Sequence, residues 1–191
     1  MYGTAFNARL FYLIGASGAG KDSLIEAARE RMAGSSNVRF AVRYVTRPRH
    51  AGGERHRPLS AEEFKRRRRR GDFLLAWESH GLCYGIDHQA ADWLAEGRDV
   101  VVNGSRGYLA EARRRVPGHL IPVVVTVRPE VLRERLRRRG RESEVEIEDR
   151  LGRSRTLAGA LPEDAVVIDN NSRLAEAVDR FHALLTRVPA R

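Results

Sequence analysis

The architecture of this chain is indicated by the stretch Gly15-Ala16-Ser17-Gly18-Ala19-Gly20-Lys21-Asp22-Ser23. An apolar segment of strand type, residues 10–14, precedes it, and residues 24–32 after it are typical of a helix. In that context the glycines let backbone N–H groups approach a polyphosphate, and the helix N-terminus adds partial positive charge. Lys21 would neutralise the outer phosphates. The stretch therefore predicts a phosphate-binding loop; a glycine-rich turn that binds nothing is disfavoured, because strand, glycines, lysine and helix coincide.

The residue after Lys21 departs from the usual pattern of such loops. Ser or Thr normally follows the lysine and its hydroxyl binds Mg²⁺, whereas this chain has Asp22. Because Mg²⁺ accepts carboxylate oxygens, Asp22 is a candidate metal ligand. The alternative is an acid that stabilises the first helical turn without touching a metal.

Length and charge limit the classes of protein to consider. A chain of 191 residues suits one α/β domain with small insertions. The net charge is +10, and Lys21 and Lys65 are the only lysines, so nearly all the positive charge is arginine. Arginine suits bidentate binding of phosphate. Three interpretations stay open: a polyanionic small substrate together with a nucleotide, a nucleic acid, or an arginine-rich composition with a solvated surface.

Other features of the composition predict a cytoplasmic protein. The single cysteine, Cys83, excludes an intrachain disulfide and is typical of a reducing compartment. No apolar segment approaches the ~20 residues that a membrane span needs, and the first residues do not resemble a signal peptide. Cysteine and histidine form no pattern of metal ligands. We therefore expect no membrane contact.

Residues 38–86 are predicted to form a small mixed insertion beside the main sheet. Alternation predicts a strand over residues 37–45, followed by a basic loop over residues 46–56. Ser60 and Glu63 form a capping box that opens a helix through about Arg70. Short strands over residues 72–78 and 82–86 follow.

The rest of the chain alternates regularly between helices and strands. Helices are predicted over residues 87–96, 106–115, 129–139 and 172–187, and strands over 99–103, 120–127 and 166–168. Such alternation implies a parallel sheet with right-handed crossovers. We therefore predict one α/β domain, residues 1–191, with a central parallel sheet flanked by helices and a core of about residues 9–37 and 87–187.

Arginines cluster on both sides of Gly140, which suits a hinge between two helices. The second helix is predicted to begin at Ser143, so the segment 137–150 forms an arginine-rich lid. Arginines near a hinge can close over a transferring phosphoryl group. The alternative is a helix surface whose arginines pair with acids one turn away, and Arg137 and Arg138 suit simple solvation.

With these residues in hand, the chain resembles the guanylate-kinase-like branch of P-loop kinases from Arg9 to about Leu185. The glycine loop fits, Thr46-Arg47-Pro48 resembles the loop that holds the acceptor phosphate, and Tyr84-Gly85 resembles the end of an acceptor-binding motif. The resemblance places the lid arginines at three positions, namely Arg135, Arg139 and Arg150.

Three departures set this chain apart from guanylate kinases. Leu75 stands where they carry a glutamate that recognises guanine, and the stretch Asn103-Gly104-Ser105-Arg106 stands where another carboxylate helps. His56 replaces a tyrosine of the acceptor-phosphate region. Because leucine cannot accept hydrogen bonds from guanine, discrimination for that base should be lost.

Four motifs together resemble the ribose 1,5-bisphosphate phosphokinases of bacterial phosphonate degradation. They occur in order at residues 15–24, 44–47, 100–106 and 139–142. The resemblance implies that ATP and ribose 1,5-bisphosphate give ADP and 5-phosphoribosyl 1-diphosphate (PRPP). Cys83 departs slightly from it, since a tyrosine is usual before Tyr84. An acceptor with two phosphates and no base suits a site rich in arginine.

The resemblance and the residues together give a hypothesis for the site. The loop from Gly15 to Ser23 would hold ATP, with Asp22 on Mg²⁺. The remaining roles fall into two groups: Lys21, Arg135, Arg139, Arg141 and Arg150 for phosphoryl transfer, and Arg47, His56, Tyr84, Asn103, Ser105 and Arg106 for the acceptor. The nucleophile is already an anionic phosphate oxygen, so no general base is required.

Other functions stay open at this point. A guanylate or other nucleoside-monophosphate kinase is the first alternative, which Leu75 and Asn103 disfavour. A non-catalytic guanylate-kinase-like binding module would be expected to lack the loop lysine, which is present here. Nucleic-acid binding is not expected. The sequence leaves open the oligomeric state, the preferred nucleotide and the choice between phosphonate breakdown and general PRPP supply.

Overall fold

The computed structural model describes residues 8–48, 55–140, 142–158 and 161–187. Within these ranges the chain forms nine strands and seven α-helices. The strands are β1 (Leu10–Ile14), β2 (Val38–Phe40), β3 (Arg43–Val45), β4 (His56–Pro58), β5 (Phe73–Ser79), β6 (Leu82–Asp87), β7 (Asp99–Asn103), β8 (Leu120–Thr126) and β9 (Val166–Asp169). The helices are α1 (Lys21–Arg31), α2 (Ala61–Arg69), α3 (Gln89–Ala95), α4 (Leu109–Arg115), α5 (Pro129–Arg139), α6 (Glu144–Ala158) and α7 (Leu174–Thr186), and a 3₁₀ turn over Arg106–Tyr108 precedes α4.

The main sheet has five parallel strands in the order β2-β7-β1-β8-β9. All five residues of the central strand β1 are buried. Their side chains alternate between two cores: Tyr12 packs towards α3 and α4 on one face, and Phe11 packs towards α1 and α7 on the other. The predicted fold class, a central parallel sheet flanked by helices, is therefore confirmed. Because β1 is central, the chain that leaves it enters the middle of the sheet's carboxyl edge.

A second sheet of four strands has the order β4-β3-β6-β5. Its strands β3 and β4 are parallel, whereas β6 is antiparallel to both β3 and β5. Helix α2 covers one face of it with Phe64, whose ring stacks on Phe73 at 4.8 Å between centres. The side chain of Ser60 accepts a hydrogen bond from the backbone N–H of Glu63 at 3.1 Å, as predicted for the cap of this helix.

Two expectations for this region were wrong in detail. The strand predicted over residues 37–45 is two strands: β2 pairs with β7 in the main sheet, whereas β3 belongs to the second sheet. The chain crosses between the sheets at residues 41–42, where Ala41 still donates to the carbonyl of Val101. The loop predicted over residues 46–56 also leads directly into a strand, β4, which begins at His56.

The arginine-rich segment forms two packed helices, α5 and α6. Their contact is a separate small core of Leu132, Leu136, Ile147 and Leu151. Helix α5 ends at Gly140, whose φ of +65° is the left-handed conformation that ends many helices. Ser143 caps α6, because its hydroxyl accepts from the N–H of Glu146 at 3.3 Å. The predicted helix boundary at Gly140 is confirmed.

None of the helices formed by the described residues is both long and apolar enough to cross a lipid bilayer.

Candidate active site

A deep cleft of about 1460 Å³ lies at the carboxyl edge of the main sheet. Three parts of the structure line it: the glycine-rich loop after β1, the inner face of the second sheet with the turn after β7, and the helix pair α5–α6. The described residues contribute eight arginines to this lining, namely Arg43, Arg47, Arg68, Arg106, Arg135, Arg138, Arg139 and Arg150. A cleft of this charge is suited to a ligand that carries several phosphates.

The glycine-rich loop has the geometry of a phosphate cradle. Gly18 and Gly20 have φ values of +89° and +90°, which residues with a side chain rarely adopt. Lys21 opens α1, and its ammonium group donates to the carbonyls of Gly15 at 2.8 Å and Ala16 at 3.0 Å. Ala19 is fully buried beneath the loop. The ammonium group thus lies over the loop, where the outer phosphates of a nucleotide would bind.

Asn170, at the end of β9, supports this loop from below. Its side-chain amide donates to the carbonyl of Ala19 at 2.7 Å. A Cβ atom at Gly20 would come within 2.4 Å of the same amide nitrogen, so only glycine fits there. On either side of Asn170, the side-chain amide of Asn171 donates to the carboxylate of Asp169 at 2.6 Å.

Asp22 faces the cleft and is held by Asn103. The Asn103 side-chain amide, at the end of β7, donates to Asp22 Oδ1 at 2.6 Å. The two residues are distant in sequence, and parallel pairing of β1 with β7 brings them together. A carboxylate beside a phosphate loop suits Mg²⁺, which binds through one or two carboxylates plus phosphate oxygens and water. The donor set therefore fits a magnesium ion bound with the nucleotide.

The turn after β7 is fixed by a buried tyrosine. The hydroxyl of Tyr12 donates to the carbonyl of Ser105 at 3.1 Å and accepts from its N–H at 2.9 Å. Gly104 lies against the same ring, since a Cβ atom there would come within 2.2 Å of it. Burial raises the pKa of the Tyr12 hydroxyl well above its ordinary value. This contact places Ser105 and Arg106 at the edge of the cleft.

The second sheet contributes the opposite wall. Arg47 follows β3 and lines the cleft with Tyr84 of β6. His56 does not reach the cleft as the described residues define it; it is buried, and its Nε2 lies 3.1 Å from the carbonyl of Arg47. This contact with the backbone of Arg47 is a route by which His56 can affect an acceptor without touching it.

Several cleft residues were missed by the sequence analysis. Trp77 stacks between Tyr84 and Tyr108, and the guanidinium of Arg43 lies 4.9 Å above the centre of the Tyr84 ring. Alternation along β5 and β6 could have indicated that Trp77 and Tyr84 share a face. Arg138 also lines the cleft, where simple solvation was expected.

Two of the three lid arginines, Arg139 and Arg150, meet at one carboxylate. Glu142 forms ion pairs with Arg139 and with Arg150, the latter at 3.3 Å, and only 6% of its side chain is exposed. Arg150 also donates to the hydroxyl of Ser17 in the phosphate loop at 2.6 Å. Arg135 lines the cleft and donates to the carbonyl of Ser172 at 3.3 Å. Arg141 lies outside the described residues.

A phosphate loop, a carboxylate beside it and arginines on a neighbouring helix pair define the class of P-loop kinases. The sequence model of the guanylate kinase family matches residues 7–187. The chain is 50% identical to ribose 1,5-bisphosphate phosphokinase PhnN of Thiobacillus denitrificans over 183 residues, which are 95% of each chain. It is 48% identical to the enzyme of that name from Psychromonas ingrahamii, over 93% of this chain and 89% of the relative.

The fold is similar to that of a solved guanylate kinase from Anaplasma phagocytophilum, with a TM-score of 0.70 over 93% of this chain and 85% of the other. The sequences of the two are 17% identical, so this likeness concerns the fold alone. Within the family, the group is shown by the two relatives that are about 50% identical to this chain over nearly its whole length. The chain therefore belongs to the guanylate kinase family, in the group of ribose 1,5-bisphosphate phosphokinases, and is a phosphotransferase.

Proposed function

We propose that this protein transfers the γ-phosphoryl group of ATP to ribose 1,5-bisphosphate, giving ADP and PRPP. The observation that carries the proposal is the 50% identity to a ribose 1,5-bisphosphate phosphokinase over 95% of both chains. The chemistry of the cleft supports it. Arginines line the acceptor side, and Leu75, at the position where guanylate kinases carry a base-recognising glutamate, is fully buried.

ATP would bind along the glycine-rich loop, with its outer phosphates beneath Lys21. Backbone N–H groups of a loop with this geometry, together with the N-terminus of α1, favour negative charge at this point. Asp22 would bind Mg²⁺, which supplies positive charge shared between the nucleotide phosphates. The nucleotide site then consists of the whole loop, residues Gly15, Ala16, Ser17, Gly18, Ala19, Gly20, Lys21, Asp22 and Ser23.

The lid arginines would stabilise the transferring group. Arg139 and Arg150 are gathered at Glu142, and Arg150 already contacts Ser17 of the loop. Arg135 lines the same cleft from α5. Arg141, beside Glu142 in sequence, belongs to the same proposal. Positively charged donors placed where charge develops are the main source of catalysis in phosphoryl transfer.

The acceptor would bind between the second sheet and the turn after β7. Arg47 and Arg106 would hold its two phosphates from opposite walls, with Tyr84 and Ser105 beside them. Asn103 would line the acceptor site and also hold Asp22 in place. His56 would affect the acceptor through its contact with the carbonyl of Arg47. The two reactants carry a charge of about −8 at neutral pH, since each of the three terminal phosphates contributes about −1.5 to −2 and each of the two inner phosphates of ATP about −1. The arginines and Mg²⁺ offset the repulsion between them.

The alternative enzyme is a guanylate kinase, and one assay separates the two. ADP formation from Mg-ATP is measured with ribose 1,5-bisphosphate and with GMP as acceptors in parallel. We expect turnover with the sugar bisphosphate and none above background with GMP. Turnover with GMP alone would contradict the proposal, and silence with both acceptors would favour a non-catalytic binding module.

We also propose that nucleic acid is not a partner, although the net charge is +10. Three arginines of α2 and the one that follows it are paired with nearby acids: Arg66 with Glu63, Arg67 with Asp72 and Asp87, Arg68 with Glu78, and Arg70 with Asp72. Such pairing opposes a continuous phosphate-binding surface. Steep salt-dependent retention on DNA without ATP turnover would contradict this view.

The division of the chain and its location are further proposals. We propose that residues 1–191 act as one kinase domain, with an acceptor-binding insertion over about residues 38–86 and a lid over about residues 137–150. The separate second sheet formed by β3 to β6 supports this division. We propose a cytoplasmic location because the reaction needs ATP and the single cysteine suits a reducing compartment. Activity in the cytosolic fraction of cell extracts tests the location.

A further inference from the structure

Three aromatic rings form one continuous stack in the wall of the cleft. Trp77 lies in the middle, and its ring centre is 5.5 Å from that of Tyr84 and 5.5 Å from that of Tyr108. The planes of Trp77 and Tyr84 differ by 9°, and those of Trp77 and Tyr108 by 25°. We call these three residues the aromatic stack. The indole thus fills a layer one ring thick between two tyrosines.

The backbone fixes the positions of these rings. Trp77 and Tyr84 are direct partners across the antiparallel pair β5–β6, so their side chains share a face of the second sheet. Tyr108 ends the 3₁₀ turn, and its hydroxyl accepts from the N–H of Ala76 at 3.4 Å. Only 5% of Trp77 is exposed, whereas both tyrosines are half-buried. The indole is therefore enclosed by its neighbours while its edge lines the cleft.

Leu75 lies two residues before Trp77 on β5. It belongs to the same apolar core as Trp77, with Tyr84 and Tyr108 packed against that core. Leu75 is fully buried and is not part of the described lining of the cleft. A ligand in the cleft therefore meets the rings of the aromatic stack and not Leu75.

We propose that Trp77 determines acceptor specificity by filling the layer that a nucleobase would occupy between Tyr84 and Tyr108. This inference rests on the proposed function, because it explains how the site rejects nucleoside monophosphates in favour of a sugar bisphosphate. A purine has the thickness of an indole, and a slot between two aromatic rings favours it by roughly 10- to 100-fold in affinity. With the indole in place, that slot is closed.

The test measures binding of GMP to variants that lack the indole. Trp77→Ala removes the whole ring system, and Trp77→Leu replaces it with a smaller apolar side chain that leaves part of the slot open. Binding is followed by calorimetry with a non-hydrolysable ATP analogue at saturation, so that GMP cannot occupy the nucleotide side. We expect both variants to bind GMP at least about 10-fold more tightly than the unchanged protein. Trp77→Phe keeps a ring in the slot and should resemble the unchanged protein.

Trp93→Ala provides a matched control. Trp93 is the other of the two tryptophans, lies on α3, packs partly buried against the same core and is outside the described lining of the cleft. GMP affinity should not change in this variant. Equal gains in the Trp93 and Trp77 variants would overturn the proposal, as would folded Trp77 variants that bind GMP no better than before. Failure of both Trp77→Ala and Trp77→Leu to fold would assign Trp77 a structural role and also overturn it.

The same experiment separates this inference from the proposed function. GMP binding is measured without turnover, so it does not depend on the identity of the true acceptor. If the unchanged protein fails to phosphorylate ribose 1,5-bisphosphate but Trp77→Ala gains GMP binding, the function is wrong and the role of Trp77 stands. If turnover of the sugar is normal but no variant gains GMP binding, the function stands and another feature excludes the base.

Discussion

At the scale of single residues, we propose that Lys21 makes the most direct contribution to the chemistry. Its ammonium group donates to two loop carbonyls, those of Gly15 and Ala16, at 2.8 and 3.0 Å. The outer phosphates of ATP would replace these carbonyls as its partners and carry full negative charge. The lysine would then contribute binding that increases as charge develops on the transferring group.

Replacing Lys21 by Ala is predicted to lower kcat/KM for ATP roughly 100- to 1,000-fold, because one charged donor to the transferring group is lost. The fold should persist, since the side chain points away from the apolar core. Lys65→Ala is the matched control: Lys65 is the only other lysine and is exposed on α2. Near-normal turnover of Lys21→Ala, measured as ADP release, would refute the assignment of the loop.

Asp22→Asn is predicted to raise the Mg²⁺ concentration needed for half-maximal activity. The amide oxygen can still accept the hydrogen bond from Asn103, so the change removes charge and keeps the shape. Mg²⁺ binds a neutral amide less well than a carboxylate. Activity is titrated with Mg²⁺ at fixed ATP. An unchanged titration would mean that Asp22 supports the loop without binding the metal.

Tyr12→Phe is predicted to destabilise the protein by about 1–3 kcal/mol, because the N–H and carbonyl of Ser105 lose their buried partner. Burial raises the pKa of Tyr12 in the folded state, so the unfolded chain releases this proton first. The contribution of Tyr12 to the free energy of unfolding is complete below about pH 10. Above that pH it falls by about 1.4 kcal/mol per pH unit. Unfolding free energies between pH 8.5 and 11 test this, since the difference between the two proteins should shrink as pH rises.

At the scale of elements, the pair α5–α6 acts as a unit because one carboxylate holds its arginines. Glu142 lies in the short link between the helices and contacts Arg139 and Arg150. Arg150 in turn reaches the phosphate loop through Ser17. Glu142 thus holds two cations close together, and we propose that it positions them for a phosphate that would take its place.

Glu142→Gln is predicted to raise the KM for ATP and to lower kcat, each by about 10-fold, because the arginines then repel each other without a shared anion. Glu144→Gln is the matched control. Glu144 pairs with Arg137 on the outer side of the same lid, and 63% of its side chain is exposed. Equal effects of both changes on steady-state kinetics would show that general lid stability, rather than the contact with Arg139 and Arg150, matters.

The elements also show what the sequence could and could not predict. The loop, the helix end at Gly140 and the central parallel strands follow from local patterns, since periodicity and glycine placement determine them. The division of residues 37–45 into two strands does not, because residues 41–42 look no different from a strand interior. Only the pairing of Val38 with Asp99, and of Tyr44 with Gly85, separates the two sheets.

At the scale of the whole molecule, the cleft depends on contacts between distant segments. Asn103 meets Asp22 because β7 and β1 are neighbours, and Trp77 meets Tyr108 because the second sheet faces the turn after β7. Sequence patterns within one segment could not predict either contact. Sequence patterns and the resemblance could nevertheless indicate which residues belong to the site. Most of the proposed site residues that lie within the described ranges line one cleft. His56 does not line this cleft, and the local sequence does not indicate that its position in β4 is buried.

In the proposed reaction, the γ-phosphoryl group of ATP becomes the outer phosphate of a diphosphate on C1 of ribose 5-phosphate. The most direct measurement is ³¹P nuclear magnetic resonance of the product formed from ribose 1,5-bisphosphate and Mg-ATP that carries an ¹⁸O-labelled γ-phosphate. We predict two coupled diphosphate signals, with the isotope shift on the terminal phosphorus alone and an unchanged 5-phosphate signal. If the ¹⁸O label appeared only in inorganic phosphate, or on the 5-phosphate, transfer to the phosphate on C1 would be contradicted.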